Sequence, residues 1–314
     1  MKRILLLVFL FLVLCIAAVY IIVPKQLAVA SSITFHANRE GVYRFLANDS
    51  NWQKWWPGTI KKTNTNSLCF MHEGYDLHLG EKLYNAIQLK LSNNRDSSAG
   101  LLRLIPFTND SMRVELSSQL DARPDPFSKL MTYFRAKRIK KTFDDIVSSL
   151  SKYASNIKNV YGIDIRKEKV QYQSLVSAKQ SFPHYPTTED IYTMIARLRN
   201  YINHSGAKEL FSPMLNIAKT DSITYSAQVG LPVDRVLPQK DDISSKWMMK
   251  GGNILMGEVT GGQKQIEDAQ KQMELYIGDY QRSIIAIPFQ MLITDRTKEP
   301  DSTKWVTRIY YPVV

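Results

Sequence analysis

Few residues of this chain have the type and spacing that chemistry needs. His72, Glu73, Asp76 and His78 crowd one short stretch. On a strand, with its period of two, positions 72, 76 and 78 share a face and offer two imidazoles and a carboxylate, donors that suit zinc. Polar residues on a strand surface or in a loop explain the same cluster without an ion, so no metal and no other cofactor is assigned. Cys69 alternates within an apolar strand and is expected in a core. His36, His184 and His204 stand alone, as turn or surface residues do. The other place is the end of the chain, where Arg308 and Tyr310 alternate on a strand closed by Pro312-Val313. Arginine stays protonated at any ordinary pH. Arg308 therefore reads either as a contact for an anionic ligand or as half of an internal pair with a carboxylate such as Glu258.

The wider sequence holds no Gly-x-Ser-x-Gly elbow, no His-Glu-x-x-His, no phosphate loop and no dinucleotide fingerprint, which argues against most common enzyme classes. What positions Arg308 is a pattern written twice. The first copy runs from a strand around Tyr172 to Val176, through a helix, to two strands that finish Val229-Gly230-Leu231-Pro232-Val233. The second runs from Trp247 to Val259, through a helix, to strands that finish Ile309-Tyr310-Tyr311-Pro312-Val313. Ile191, Met194, Ile195, Leu198 and Ile202 stripe the first helix, with Thr187 as cap and Gly206 as stop; Ile266, Ala269, Met273 and Ile277 stripe the second, which follows Gly261-Gly262. A strand-helix-strand-strand unit cannot bury both faces of its sheet alone. Two of them share a core and leave a cleft at their junction.

Residues 4–23 are uninterrupted apolar, preceded by Lys2-Arg3 and followed by Lys25. Their length predicts a single-pass transmembrane anchor over a cleaved signal, whose apolar region is shorter. The charge bias puts the domains outside the cytoplasm. The two cysteines, Cys15 and Cys69, form no disulfide framework. The net charge of +12 is mostly dispersed. Its one cluster, Arg135, Lys137, Arg138, Lys140 and Lys141, reads as a solvated helix face, or else as a contact for anionic lipid head groups. Nothing resembles a nucleic-acid-binding signature, so no nucleic-acid partner is expected.

From Gln26 to about Ser155 the order is strand, short helix, many strands and one long helix. Asp125-Pro126 opens that last helix, and Phe127, Leu130, Phe134, Phe143, Ile146 and Leu150 are read as its stripe. A sheet wrapping such a helix leaves an elongated apolar cavity between them. Trp52, Trp55 and Trp56 either line its mouth or, more commonly for tryptophan, pack in the core. A polar connector over residues 156–163 separates the two domains.

The opening strand, Val42-Tyr43-Arg44-Phe45-Leu46, Trp52 through Pro57 and the terminal helix together resemble the START-like superfamily, also called SRPBCC or polyketide cyclase, over about 130 residues. That resemblance implies a helix-grip fold with an apolar cavity and no particular reaction. Val229 to Val233, Lys250-Gly251-Gly252, Gly261-Gly262, Pro288-Phe289 and Ile309 to Val313 resemble the GyrI-like, AraC-type effector-binding domain over about 145 residues. That family binds small, often cationic, apolar molecules between its repeats, and some members hydrolyse them. It usually carries a pocket glutamate where this chain has Arg308; the matching residue of the first repeat is Gln228. A buried carboxylate neutralises a cation or serves as a base, and arginine does neither.

The expected fold class is α+β. It comprises an anchor over 1–25, a START-like helix-grip domain over 26–157 and a duplicated GyrI-like domain over 164–314. The expected cleft residues are Arg308, Gln228, Tyr310, Tyr225, Phe289 and Trp247. The expected function is a membrane-tethered, non-catalytic binder or sensor of a small apolar ligand. Its alternatives are a hydrolase or cyclase working in one of the cavities, and a lipid-handling envelope protein.

Overall fold

The alternation of apolar and polar residues from Gln26 onward becomes seven antiparallel strands. In the computed structural model, which describes residues 2–62, 68–93, 96–221 and 223–314, these are β1 (Gln26–His36), β2 (Thr59–Lys62), β3 (Leu68–His72), β4 (Tyr75–Leu83), β5 (Ala86–Ser92), β6 (Ser97–Thr108) and β7 (Ser111–Asp121). They lie in the order β1-β7-β6-β5-β4-β3-β2. β7 shows why: Met112, Val114 and Leu116 are fully buried, while Arg113 between them points outward. Helix α2 (Arg39–Leu46) follows β1, capped by Asn38, which accepts from the amides of Glu40 and Gly41. Helix α3 (Pro126–Ala154) starts on the Asp125 carboxylate, which accepts from the Ser128 amide, and packs on β1 and β7.

The expected stripe of α3 divides into two. Phe143, Ile146 and Leu150 are buried with Ile139 and Val147, whereas Phe127, Leu130 and Phe134 are exposed. The step from Phe134 to Phe143 is nine residues, or two and a half turns, which puts the two groups on opposite faces. Met131 joins the exposed group. On the exposed side of this helix lies a cavity of about 470 Å³, bounded by Asp96, Asn93, Arg135 and Arg138 as well as Met131 and Phe134, so it is largely polar. Trp52, Trp55 and Trp56 are core residues, and the Trp52 indole donates to the Leu46 carbonyl at 2.8 Å.

Helix α1 covers Lys2–Ile22. The side chains at 2, 3, 5, 12 and 15 stand outside those described. Among the described residues no helix is long and apolar enough to cross a membrane, so the expected single-pass anchor is not supported. What the structure gives α1 is a fixed end. The Tyr20 hydroxyl donates to the Pro124 carbonyl at 2.7 Å. The buried Lys129 ammonium lies over the Tyr20 ring and donates to the Val23 carbonyl at 2.6 Å, a favourable place for a cation because helix C-termini carry partial negative charge. The basic cluster is partly neutralised within its own unit: Arg135 pairs with Asp96 at 2.9 Å, Lys140 with Asp144, and Lys141 approaches Glu73 at 3.7 Å. A lipid contact at this cluster is not shown.

The chain divides into two compact units at residues 156 and 157. The expected polar connector belongs to the second unit. Residues Ile157–Tyr161 form α4, Tyr161 donates to Asp279 at 2.7 Å and stacks edge-on against Tyr276, and Ile163 is buried. Eight antiparallel strands follow: β8 (Ile165–Lys169), β9 (Ser174–Phe182), β10 (Met214–Lys219), β11 (Tyr225–Val233), β12 (Ser244–Trp247), β13 (Asn253–Thr260), β14 (Phe289–Leu292) and β15 (Val306–Pro312). Their order is β12-β9-β11-β10-β14-β15-β13-β8. The two copies are β9-α5-β10-β11 and β13-α6-β14-β15, with α5 at Thr188–His204 and α6 at Gln263–Asp279. They meet where Met214 pairs with Met291 and Leu215 with Gln290. Thr187 and Asp190 close a reciprocal capping box on α5.

Candidate functional site

Strand period sorts the residues of the second unit onto two faces. Ala227, Val229 and Leu231 of β11 pack with Ile191, Ile195 and Leu198 of α5. Ile309, Tyr311 and Val313 pack with Ile266, Met273 and Ile277 of α6. The residues between them face away from both helices. There Tyr172, Leu175, Met214, Ile254, Met256, Phe289, Met291 and Tyr310 form a separate cluster, with Phe211 and Met248 against it. Cross-strand neighbours on this face line up in one row: Ser177, Gly230, Met214, Met291, Arg308 and Glu258. This is the cleft between the repeats.

Its two halves differ at two matched pairs of positions. The closing Pro-Val of each repeat aligns Gly230 with Tyr310 and Gln228 with Arg308. Tyr310 stands in its half, stacked on Phe289 with ring centroids 5.1 Å apart and planes 19° from parallel. Gly230 leaves its half open. Beside it lies an apolar cavity of about 390 Å³ bounded by Leu175, Met214, Trp247, Met248, Ile287 and Phe289, with Asn216, Gln228 and Lys246 as its polar members. This is within the size range of small-molecule sites. The Tyr310 side opens into a larger space of about 700 Å³, rimmed by Lys167, Glu168, Lys169 and Arg308. Burial pushes the phenol of Tyr310 up, helped by the Glu168 charge, and pushes that of Tyr172 up further. Both stay protonated at neutral pH and present hydroxyl groups, not phenolates.

Arg308 takes the internal pair of the two expected roles. Its Nε donates to Glu258 Oε2 at 2.8 Å across β15 and β13. That bond outweighs partial burial and raises the guanidinium pKa further above its ordinary value. Both side chains are nearly half exposed, so the pair adds little stability, up to about 1 kcal/mol. It does balance the charge of the row. Arg308→Glu is thus expected to set two carboxylates across from each other and to raise the affinity for cationic dyes about tenfold, or ~1.4 kcal/mol. Equilibrium dialysis measures this, and an unchanged affinity would show that Arg308 does not govern the Tyr310 side.

Of the other expected cleft residues, Gln228, Trp247 and Phe289 border the Gly230 cavity. Tyr225 does not reach it. Its odd number puts it on the helix side of β11 with Ala227 and Val229, and it stacks edge-on against Tyr185. Met214, Gly230, Met248 and Ile287 also line the cavity, outside the set expected for the cleft. The Met214 parity with Asn216, and the alignment of Gly230 with Tyr310, were the available signals.

In the first unit His72 is joined by a residue far away in sequence. His72 Nε2 lies 3.1 Å from Asp145 Oδ2 of α3, and with Glu73 the three donor groups fall within 4.8 Å of one another. Asp76 and His78 are not in this group; His78 instead faces the Cys69 sulfur at 3.7 Å. Burial, followed by the Asp76 charge, pushes the Cys69 thiol up, away from the reactive thiolate. The His72–Asp145 contact, and Lys141 at 3.7 Å from Glu73, tie the end of β3 to α3.

No family model matches the chain, and no curated protein matches it either. Solved structures are similar to it. They include a cryo-EM structure of an EcmrR–DNA complex, at 12% identity and TM-score 0.43, covering 60% of this chain and 70% of that one. A crystal structure of a hydrolase from Listeria innocua is 10% identical at TM-score 0.36, covering 48% and 91%. A structure of a protein bound to tetraphenylphosphonium is 14% identical at TM-score 0.31, covering 48% and 93%. Such likeness assigns this chain neither a family nor an activity.

Proposed function

We propose that the second unit is a GyrI-like binding module that holds a small apolar molecule in the Gly230 half of its cleft, and that it acts as a binder or sensor. The observation that carries this reading is the asymmetry of the repeat. Where one copy sets Tyr310 on Phe289 beside a space rimmed by charged residues, the other has a glycine and an apolar cavity. A groove lined by Met214, Met248, Trp247 and Phe289 gains from any apolar body that displaces its water, because transfer of apolar surface is favourable by about 25 cal/mol per Å². Methionine also adapts its shape to different ligands. The groups that touch this space are a lysine, two amides and apolar side chains, with no carboxylate or imidazole among its bordering residues. Reaction chemistry has little to work with there, and binding has much.

The first unit fits the START-like helix-grip arrangement in its antiparallel sheet and long C-terminal helix. Its packed tryptophans point to a structural part for it. Native mass spectrometry of the full chain, purified without added hydrophobic compounds, is expected to show a retained species of defined mass that dissociates on activation. A chain that carries none, and takes up no neutral apolar probe at millimolar concentration, would overturn the reading.

A further inference from the structure

The polar groups of the Gly230 cavity sit at two levels of the sheet, Lys246 at one and the paired Gln228 and Asn216 amides at the other. Lys246 on β12 is level with Leu175, which in turn is level with Pro232 of β11. Gln228 lies four residues further along β11, roughly 13 Å away at the rise of an extended strand. Gly230 and Met214 pair across strands between these two levels, and Phe289, Ile287 and Trp247 complete the lining. Lys246 is the one charged residue bordering the cavity. Among the described residues its ammonium has no ion-pair partner, and the Gln228 amide has no hydrogen-bond partner. The Asn216 amide nitrogen is taken up by the Pro288 carbonyl at 2.8 Å.

From this arrangement we infer that the cavity takes an elongated amphiphile with an anionic head, an apolar carboxylate or sulfonate, whose head meets Lys246 and whose body lies over Gly230. This rests on the binding role proposed above and adds the charge class. A cationic ligand would meet an unneutralised lysine and no acid. A neutral ligand would gain nothing from Lys246, which is exposed at the mouth of the cavity. Trp247 and Ile287 are 64% and 60% exposed at the rim. An aliphatic or aromatic body emerging toward Lys246 would cover Trp247, the residue beside it, where a large apolar side chain left open to water gains most from a partner. The discrimination differs from that expected of Arg308, whose charge is already met by Glu258.

Two probes with the same aromatic body separate the charge from the body. They are 8-anilinonaphthalene-1-sulfonate and its uncharged relative N-phenyl-1-naphthylamine, titrated by fluorescence into the full chain. Lys246→Gln is expected to weaken the sulfonate about fivefold, as for a charge at a solvent-exposed rim. The neutral probe should stay within twofold. Salt should weaken sulfonate binding to the parent and have little effect on the variant, because screening acts only where the charge contact exists. Equal loss of both probes, or loss of neither, would overturn the inference. In the second case Gly230→Tyr separates the two readings: if it abolishes both probes, the cavity stands and only the charge class fails. If it too leaves both probes bound, the cavity itself is not the site.

Discussion

A Gly230→Tyr protein is expected to fold as the parent does and to bind a neutral apolar probe at least a hundredfold more weakly. The substitution writes into the first repeat what the second already has, since Tyr310 occupies the matching position. The backbone allows it, because Gly230 is not among the glycines with left-handed φ. A Cβ there would lie 3.0 Å from Leu175 Cδ1 and 3.8 Å from Met214 Cβ. The closer of these is the end of a flexible side chain, which can turn aside at modest cost. The ring then has one place to go, the cavity of about 390 Å³. An aromatic body that buries about 150 Å² gains roughly 4 kcal/mol from that burial. Loss of most of it exceeds the ~2.7 kcal/mol that a hundredfold represents. Circular dichroism would check the fold, and probe fluorescence the binding. Retained affinity in a folded variant would place the ligand elsewhere.

The duplicated half was legible in the sequence because its signals are local. The Thr187–Asp190 capping box, the stripe from Ile191 to Ile202 and the two Pro-Val strand ends each lie within a few residues, and each appears in the structure where its spacing puts it. The cleft was legible as a place and less so as a set of side chains. Tyr225 and Gln228 are three steps apart on β11, and an odd step on a strand changes face. The same arithmetic divides α3, where Phe134 and Phe143 were joined across two and a half turns. Other features depend on contacts that no window of sequence shows. Asp145 reaches His72 from 73 positions away, and Lys129 meets the end of α1 from 106. Whether Arg308 would meet a ligand or Glu258 depended on strand register, and the pairing of β13 with β15 decides it.

Trp52→Ala is expected to be the most damaging single truncation in the first unit, at about 3–5 kcal/mol, the usual range for a fully buried tryptophan. Trp52 is 1% exposed, and its ring lies 4.9 Å from Trp55, 5.8 Å from Phe70 and 6.4 Å from Trp56. Removing it opens a cavity among three large rings that cannot all collapse into it. It also strands the Leu46 carbonyl, which loses its indole donor at the end of α2. Trp55 makes the contrast: among the described residues its buried indole nitrogen has no partner, so Trp55→Phe deletes an unmet donor and should cost much less. Urea unfolding followed by tryptophan fluorescence would report the first unit, which holds three of the five tryptophans. Binding of the neutral probe, followed through the same titration, would report the second. The Trp52→Ala transition should move to lower urea while the probe-binding transition stays in place. A loss under ~1 kcal/mol would mean that the three indoles border an open, solvent-filled cavity, and would give the first unit the ligand-holding part assigned here to the second.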